Sequence, residues 1–198
     1  AFAGALNAGL PVMFDREFGF LNRLLVAPLA SRFSIVVASA LFIATMSLIQ
    51  TTAIVALSAV LGAGLPGFGG LLLMALIVLT LVFGVTALSL GLAFALPGHI
   101  ELLAVIFITY LPLLFASTAL VPLSFMPSWL QVVASLNPLS YAIEPIRYIY
   151  LHPDWSFGST VMAAPFGDIS LGLAFGILLI FSAAAFATIR PLISRRIA

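Results

Sequence analysis

Apolar runs of membrane-crossing length alternate with short breaks along this chain. Residues 33–61 carry no charge and, as polar groups, only Ser, Thr and Gln50. At about 1.5 Å rise per residue, such a run crosses about 30 Å of hydrocarbon with some tilt. The glycines and Pro66 of GAGLPGFGG, residues 62–70, then break the helix, and residues 71–96 supply a second run, so the pair predicts a hairpin. PGHIE at 97–101 forms the next turn, 102–121 the third span and 169–189 the fourth. Residues 1–13 are apolar but shorter than a span and read as the end of one that is truncated here. A signal peptide is the rival reading, and its basic leading region is missing.

The segment 122–168 is too long for a turn and too interrupted for two spans. PSWLQVVASL predicts a short helix opened by Ser128, and NPLSYAIEPIRYIYLH a second, with Asn137 as N-cap, Pro138 in the first turn and Pro145 bending it. Trp129, Trp155, Tyr141, Tyr148 and Tyr150 all fall here, and such rings suit the headgroup region. The expectation is a pair of re-entrant helices, with an ordinary surface loop as the alternative. Arg16, Arg23 and Arg32 precede the first full span, while Arg190, Arg195 and Arg196 follow the last. An even number of spans separates the two groups, so both meet the positive-inside rule on one side, the cytoplasm. The 62–70 turn and the 122–168 segment are then external, and the 97–101 turn and the tail 190–198 internal.

Composition sharpens the class: 64% hydrophobic residues, 7% charged and a formal net charge of +1 give a membrane protein with no basic field to hold nucleic acid. Without cysteine there are no disulfides or thiolate metal sites. Without lysine there is no phosphate-binding GxxxxGK[ST] loop, so ATP hydrolysis by this chain alone is not expected. Gly62, Gly64 and Gly67 spell GxGxxG, but between two spans and with Pro66 inside it the pattern is a turn. His99 and His152 fall on opposite sides of the expected membrane and cannot share a metal. Ser156 with His152 and Asp154 lacks the nucleophile elbow of a hydrolase. Glu101 stands at the inner end of a span, either favouring the helix dipole or acting as a gate. Glu144 and Arg147 are three apart and can pair. Ala87, Gly91 and Ala95, and Gly172 with Gly176, have small-residue packing spacing, within the chain or across a homodimer.

Residues 14–32 concentrate Asp15, Arg16, Glu17, Arg23 and Arg32 in a chain otherwise nearly without ions. Asp15 is placed to cap a helix, with Glu17 in its first turn, Arg23 near its end and Pro28 stopping it. Phe14, Phe18, Leu21 and Leu25 then share one face, opposite the charges. The expectation is a cytoplasmic amphipathic helix, resting on lipid or docking a soluble partner.

The stretch FDREFGFLNRLLVAPLASRFSIV resembles the cytoplasmic segment of ABC type-2 exporter permeases. LNPLSYAIEPIR resembles the same family's external signature, through Asn137, Pro138, Tyr141 and Arg147. The likeness spans essentially the whole chain and is closest to drug-resistance and polysaccharide-export permeases. It implies an all-α, multi-pass helical bundle with a cytoplasmic coupling helix and an external re-entrant pair, N-terminally truncated relative to six spans. It further implies dimerisation and docking on two ABC ATP-binding subunits, which would bind ATP and Mg²⁺ while this chain binds no cofactor. Asp15, Arg16, Glu17, Phe18, Leu21 and Arg23 would couple to the ATPase, and Trp129, Asn137, Pro138, Tyr141, Glu144 and Arg147 would form the external helices. The setting it implies is a bacterial inner membrane, or a plastid or thylakoid membrane, with a drug, lipid or glycan as the exported substrate. The rivals are a non-transporting membrane subunit or assembly factor, and a secondary transporter. The latter typically carries ionisable groups at mid-membrane, which these spans lack.

Overall fold

A computed structural model describes residues 1–19 and 34–196. The first segment is a broken helix, α1 (Phe2–Leu6) and α2 (Gly9–Glu17), followed by α3 (Ser34–Val60), α4 (Phe68–Ala95) and α5 (His99–Phe115). A 3-10 turn (Leu123–Phe125), α6 (Ser128–Leu136) and α7 (Ser140–Leu151) come next, then strands β1 (Thr160–Ala164) and β2 (Gly167–Ser170), and α8 (Leu171–Arg196).

Three of the described helices are long and apolar enough to cross a membrane, over Val37–Val60, Phe68–Ala95 and Leu171–Ile189. The α5 helix stops at Phe115, earlier than the expected end at 121. Pro112 explains this: it has no amide to give Ile108, and its ring crowds the preceding turn, so the helix survives only one more turn. Seventeen residues reach about 25 Å, short of the hydrocarbon thickness.

The bundle is organised around α4. In its most apolar stretch 56% of residues are buried, against 17% for α3 and 28% for α8, so α4 is the axis and α3 a peripheral helix. Its partners are chiefly α8, then α3, α1 and α2. Gly84 makes the α4–α8 approach possible. A Cβ there would lie 2.9 Å from the Phe181 ring and 3.0 Å from the Ser182 Cα. Of the small residues singled out by spacing, Ala87 packs with Val12, Leu90, Phe94, Ala185 and Ile189. Gly172 faces the Phe157 carbonyl instead of a second span, and Gly176 faces open space.

The break between α1 and α2 is filled from α4. The Ser89 hydroxyl donates to the Leu6 carbonyl and accepts from the Gly9 amide, replacing bonds that the kink removes. Position 9 admits no side chain, because a Cβ would come 2.4 Å from the Ser89 carbonyl oxygen.

Among the described residues, the mostly helical chain carries one short β-hairpin that the sequence reading lacks. β1 and β2 form an antiparallel hairpin with Met162 opposite Ile169, both buried against the core. Pro165 and Gly167 turn it, Gly167 at φ +137° where other residues are strained. The expected external helices end at His152 and assign nothing to this stretch, where the Pro-Phe-Gly turn is the signal for a hairpin.

Close approach at Gly84 predicts that Gly84→Leu costs about 1–3 kcal/mol by overpacking, while Gly176→Ala is neutral or slightly stabilising. Thermal unfolding of the two variants in detergent, against the parent, measures the contrast.

Candidate functional site

Two side chains at the end of α2 hold the turn between α4 and α5. The Arg16 guanidinium donates to the carbonyls of Ala93, Leu96 and Pro97 at 2.9, 2.6 and 2.7 Å. These acceptors lie in the last turn of α4 and just past its C-cap, where no helical amides remain, and Ala93 is deprived because residue 97 is proline. Beside it, Glu17 accepts the backbone amide of His99 at 2.6 Å, an orphan donor at the start of α5, and also contacts His99 Nδ1. Phe14 packs on the His99 ring, 5.2 Å between centroids. One Arg-Glu dipeptide thus caps two helices of opposite polarity, cation at a C-terminus and anion at an N-terminus, each favoured by the dipole. The His99 amide is the first cause that holds the Glu17 carboxyl below the usual carboxylate range.

Glu101 lies in the first turn of α5, at a helix N-terminus as expected for an acidic residue. Its carboxylate and that of Glu17 flank Gly98, where a Cβ would meet their oxygens at 2.9 and 3.0 Å.

At the far end of α5 the ligands come from α7 and its approach. Asn137 Nδ2 donates to the carbonyls of Leu113 and Ala116, both at 2.7 Å, and its Oδ1 accepts the Leu139 amide at 3.0 Å. The Ser140 hydroxyl accepts the Thr118 amide at 3.2 Å. Arg147 donates to the Thr118 carbonyl at 2.7 Å and to Glu144 at 2.6 Å. Asn137, Ser140 and Arg147 therefore satisfy the irregular backbone that follows Pro112. Near the same end, the Tyr150 hydroxyl reaches the Gly64 carbonyl in the α3–α4 turn. The residues assigned to opposite sides of the membrane by charge accordingly cluster at opposite ends of the bundle.

Several expectations change. Asp15 does not open a helix: Asp15, Arg16 and Glu17 close α2, continuing the first segment. Phe18 follows as its C-cap, 81% exposed. The proposed charged helix therefore does not begin at Asp15, and Leu21 and Arg23 lie outside the described residues. The Ser128 hydroxyl makes no cap; α6 is instead steadied by Gln131, whose amide nitrogen donates to the Met126 carbonyl. Pro138 lies in the turn before α7, Tyr141 is buried in the core and Trp129 is exposed. The bond of Glu144 to Arg147 is found as spaced. Ser89 and Ser140 were missed, because one polar residue in an apolar run carries no spacing signal, and His99 was weighed only as a metal ligand, not as the partner of Glu17.

Both ends of this arrangement fall within residues 1–151, which match the family model described as ABC-2 type transporter. The chain belongs to the ABC-2 type transporter family. Among curated relatives, one from Porphyra purpurea named "Putative transport permease ycf38" is 60% identical over 179 residues, 90% of this chain and 62% of the relative. A namesake from Cyanophora paradoxa is 54% identical over 186 residues, 94% and 64% respectively. The chain thus spans about three-fifths of the length of these relatives. No solved structure matches it. The ABC-2 match covers α1 to α7 and stops before the hairpin and α8.

Two outcomes follow from the caps. Asn137→Asp keeps the side-chain shape but removes both donors to α5 and sets a carboxylate against two carbonyls, so it lowers stability by about 2 kcal/mol or more, read by chemical unfolding in detergent. Because the Glu17 pKa is depressed in the folded state, its stabilising contribution is complete above the free-carboxylate value of about 4 and is lost as pH falls through the lower folded value. Protection of the His99 amide relative to its intrinsic exchange rate falls over that acid window in the parent protein, and in Glu17→Gln it is low and unchanged across the window.

Proposed function

We propose that this ABC-2 family member is the membrane-spanning permease subunit of an ATP-driven exporter, acting as a homodimer with ABC ATP-binding subunits docked at the Arg16 end. That end is cytoplasmic by the arginine distribution. The observation that carries the reading is the double cap by Arg16 and Glu17. A push on the segment that follows residue 17 reaches α4 and α5 through five hydrogen bonds, and α5 passes it to α7 through Asn137. A membrane subunit without a moving partner needs no such linkage between a polar segment and the far end of the bundle.

ATP and Mg²⁺ belong on the partner in this scheme, since a chain without lysine cannot supply the phosphate-loop ammonium. The substrate, a hydrophobic or amphipathic molecule, leaves the cytoplasm or inner leaflet for the side on which α6 and α7 lie. The curated relatives are algal, which fits a plastid or thylakoid membrane as well as a bacterial inner membrane.

Two charges of this segment, Asp15 and Arg23, test the docking. Glu17 is a poor choice for charge reversal, because its loss uncaps α5 whatever docks nearby. Asp15 makes no hydrogen bond or ion pair among the described residues. Asp15→Arg and Arg23→Glu are expected to reduce co-purification of the ATP-binding subunit at least several-fold and to abolish substrate-stimulated hydrolysis, with unchanged membrane insertion and thermal stability. Full transport by both variants sinks the docking assignment.

A further inference from the structure

A small, half-open cavity with a mostly apolar lining and three polar side chains lies beside α7, at the end of the bundle away from Arg16. It encloses about 250 Å³ and is lined by Leu123, Ser124, Gln131, Glu144, Met162 and Ala163, among others. The 3-10 turn, α6, α7 and β1 each contribute a wall. Glu144 is 9% exposed, a buried carboxylate in a chain with few ions, and a buried charge needs compensation. One of its oxygens receives Arg147, which lines a different, apolar groove on the other face of α7. Its other oxygen has no hydrogen-bond partner among the described residues. The Ser124 hydroxyl has none either, and Gln131, with its amide nitrogen fixed on the Met126 carbonyl, keeps its oxygen unused. Among the described residues, the cavity therefore offers three solvent-accessible side-chain oxygens without a hydrogen-bond partner, each able to accept, and no positively charged side chain in its lining.

Such a lining selects a ligand that brings hydrogen-bond donors. The ion pair decides which kind. Arg147 already neutralises Glu144, so an entering ammonium meets the guanidinium across a single carboxylate, whereas neutral hydroxyls accept the same geometry without like-charge repulsion. Size adds a limit, since the volume falls below that of cavities holding drug-sized ligands. We propose that this cavity is a binding site for a neutral polyhydroxyl group, a single sugar ring or its equivalent, with Glu144, Gln131 and Ser124 accepting its hydroxyls. This deepens the permease reading by naming the head group met on the exit side. The binding itself requires no ATP-binding subunit.

Saturation-transfer NMR on the purified protein in phosphatidylcholine nanodiscs tests it, with methyl glucoside as the soluble probe and a glucosyl diacylglycerol in the disc as the lipid-borne one. Saturable binding of the soluble probe means a site open to water, and binding of the lipid-borne probe alone means a site reached from the bilayer; either supports the proposal. Ser124→Ala, which removes an exposed hydroxyl with no structural bond, is expected to weaken binding about three- to ten-fold. Ala163→Phe, at an exposed strand position, is expected to fill the cavity and abolish binding; if it unfolds the protein, Ser124→Ala alone decides. Methylammonium in ten-fold excess leaves the signal unchanged. Displacement by methylammonium, indifference to the variants, or no saturable binding of either sugar overturns the proposal. Loss of sugar binding with retained co-purification of the ATP-binding subunit leaves the permease reading standing.

Discussion

Every backbone amide and carbonyl inside a bilayer has to find a partner within the protein, because no water is there to take the bond. Helix interiors meet the requirement on their own and helix ends cannot. The α5 helix is the acute case. It is too short to carry its ends well out of the hydrocarbon, begins directly after Pro97-Gly98 and is cut by Pro112. Its amide at His99 is met by Glu17 and its carbonyls at Leu113 and Ala116 by Asn137, so both ends depend on side chains distant in sequence. Among the described residues, Arg16, Glu17, Asn137 and Arg147 are spent on this requirement.

That dependence ties the fold together in a particular order. The α4 helix supplies the buried axis through apolar packing, with Gly84 allowing α8 close and Ser89 bridging the kink of the first segment. Packing of this kind is non-directional and would leave α5 free to slide, since α4 and α5 touch little. The polar caps fix its position. Arg16 closes the end of α4 and its neighbour Glu17 holds the start of α5 in register with it, while Ser140 and Arg147 hold the backbone beyond its end in register with α7.

The periodicity and length of the apolar runs were enough to find α3, α4 and α8, because each meets its hydrogen bonds internally and needs only about twenty apolar residues. The pairing of Glu144 with Arg147 followed from their spacing, as local contacts on one helix do. What the sequence hid was long-range: Arg16 reaches residues about eighty positions away, and no pattern around it says so. The charged cluster at 14–17 was recognised but assigned to a helix start, because Asp15 fits an N-cap and a C-terminal Arg-Glu serving a neighbouring turn looks the same in one dimension. The hairpin was missed for a related reason: Met162 and Ile169 become a pair only when the Pro-Phe-Gly turn is given more weight than the surrounding apolarity.

The crowding of ions at residues 15–17 thus has a structural explanation that stands before any functional one. A carboxylate and a guanidinium side by side, each at the helix end its charge favours, stabilise a turn that proline and glycine would otherwise leave open. In the permease reading proposed above, the same economy would make the turn a point of transmission. Were Arg16 and Glu17 turned outward toward a partner, a force on them would act on α2 alone. Turned onto α4 and α5, they bond the polar segment to both helices, and Asn137 extends the connection from α5 to the approach of α7. A chain with so few polar groups has few ways to join its two ends, and here the bonds that satisfy the backbone and the bonds that would carry motion are the same ones.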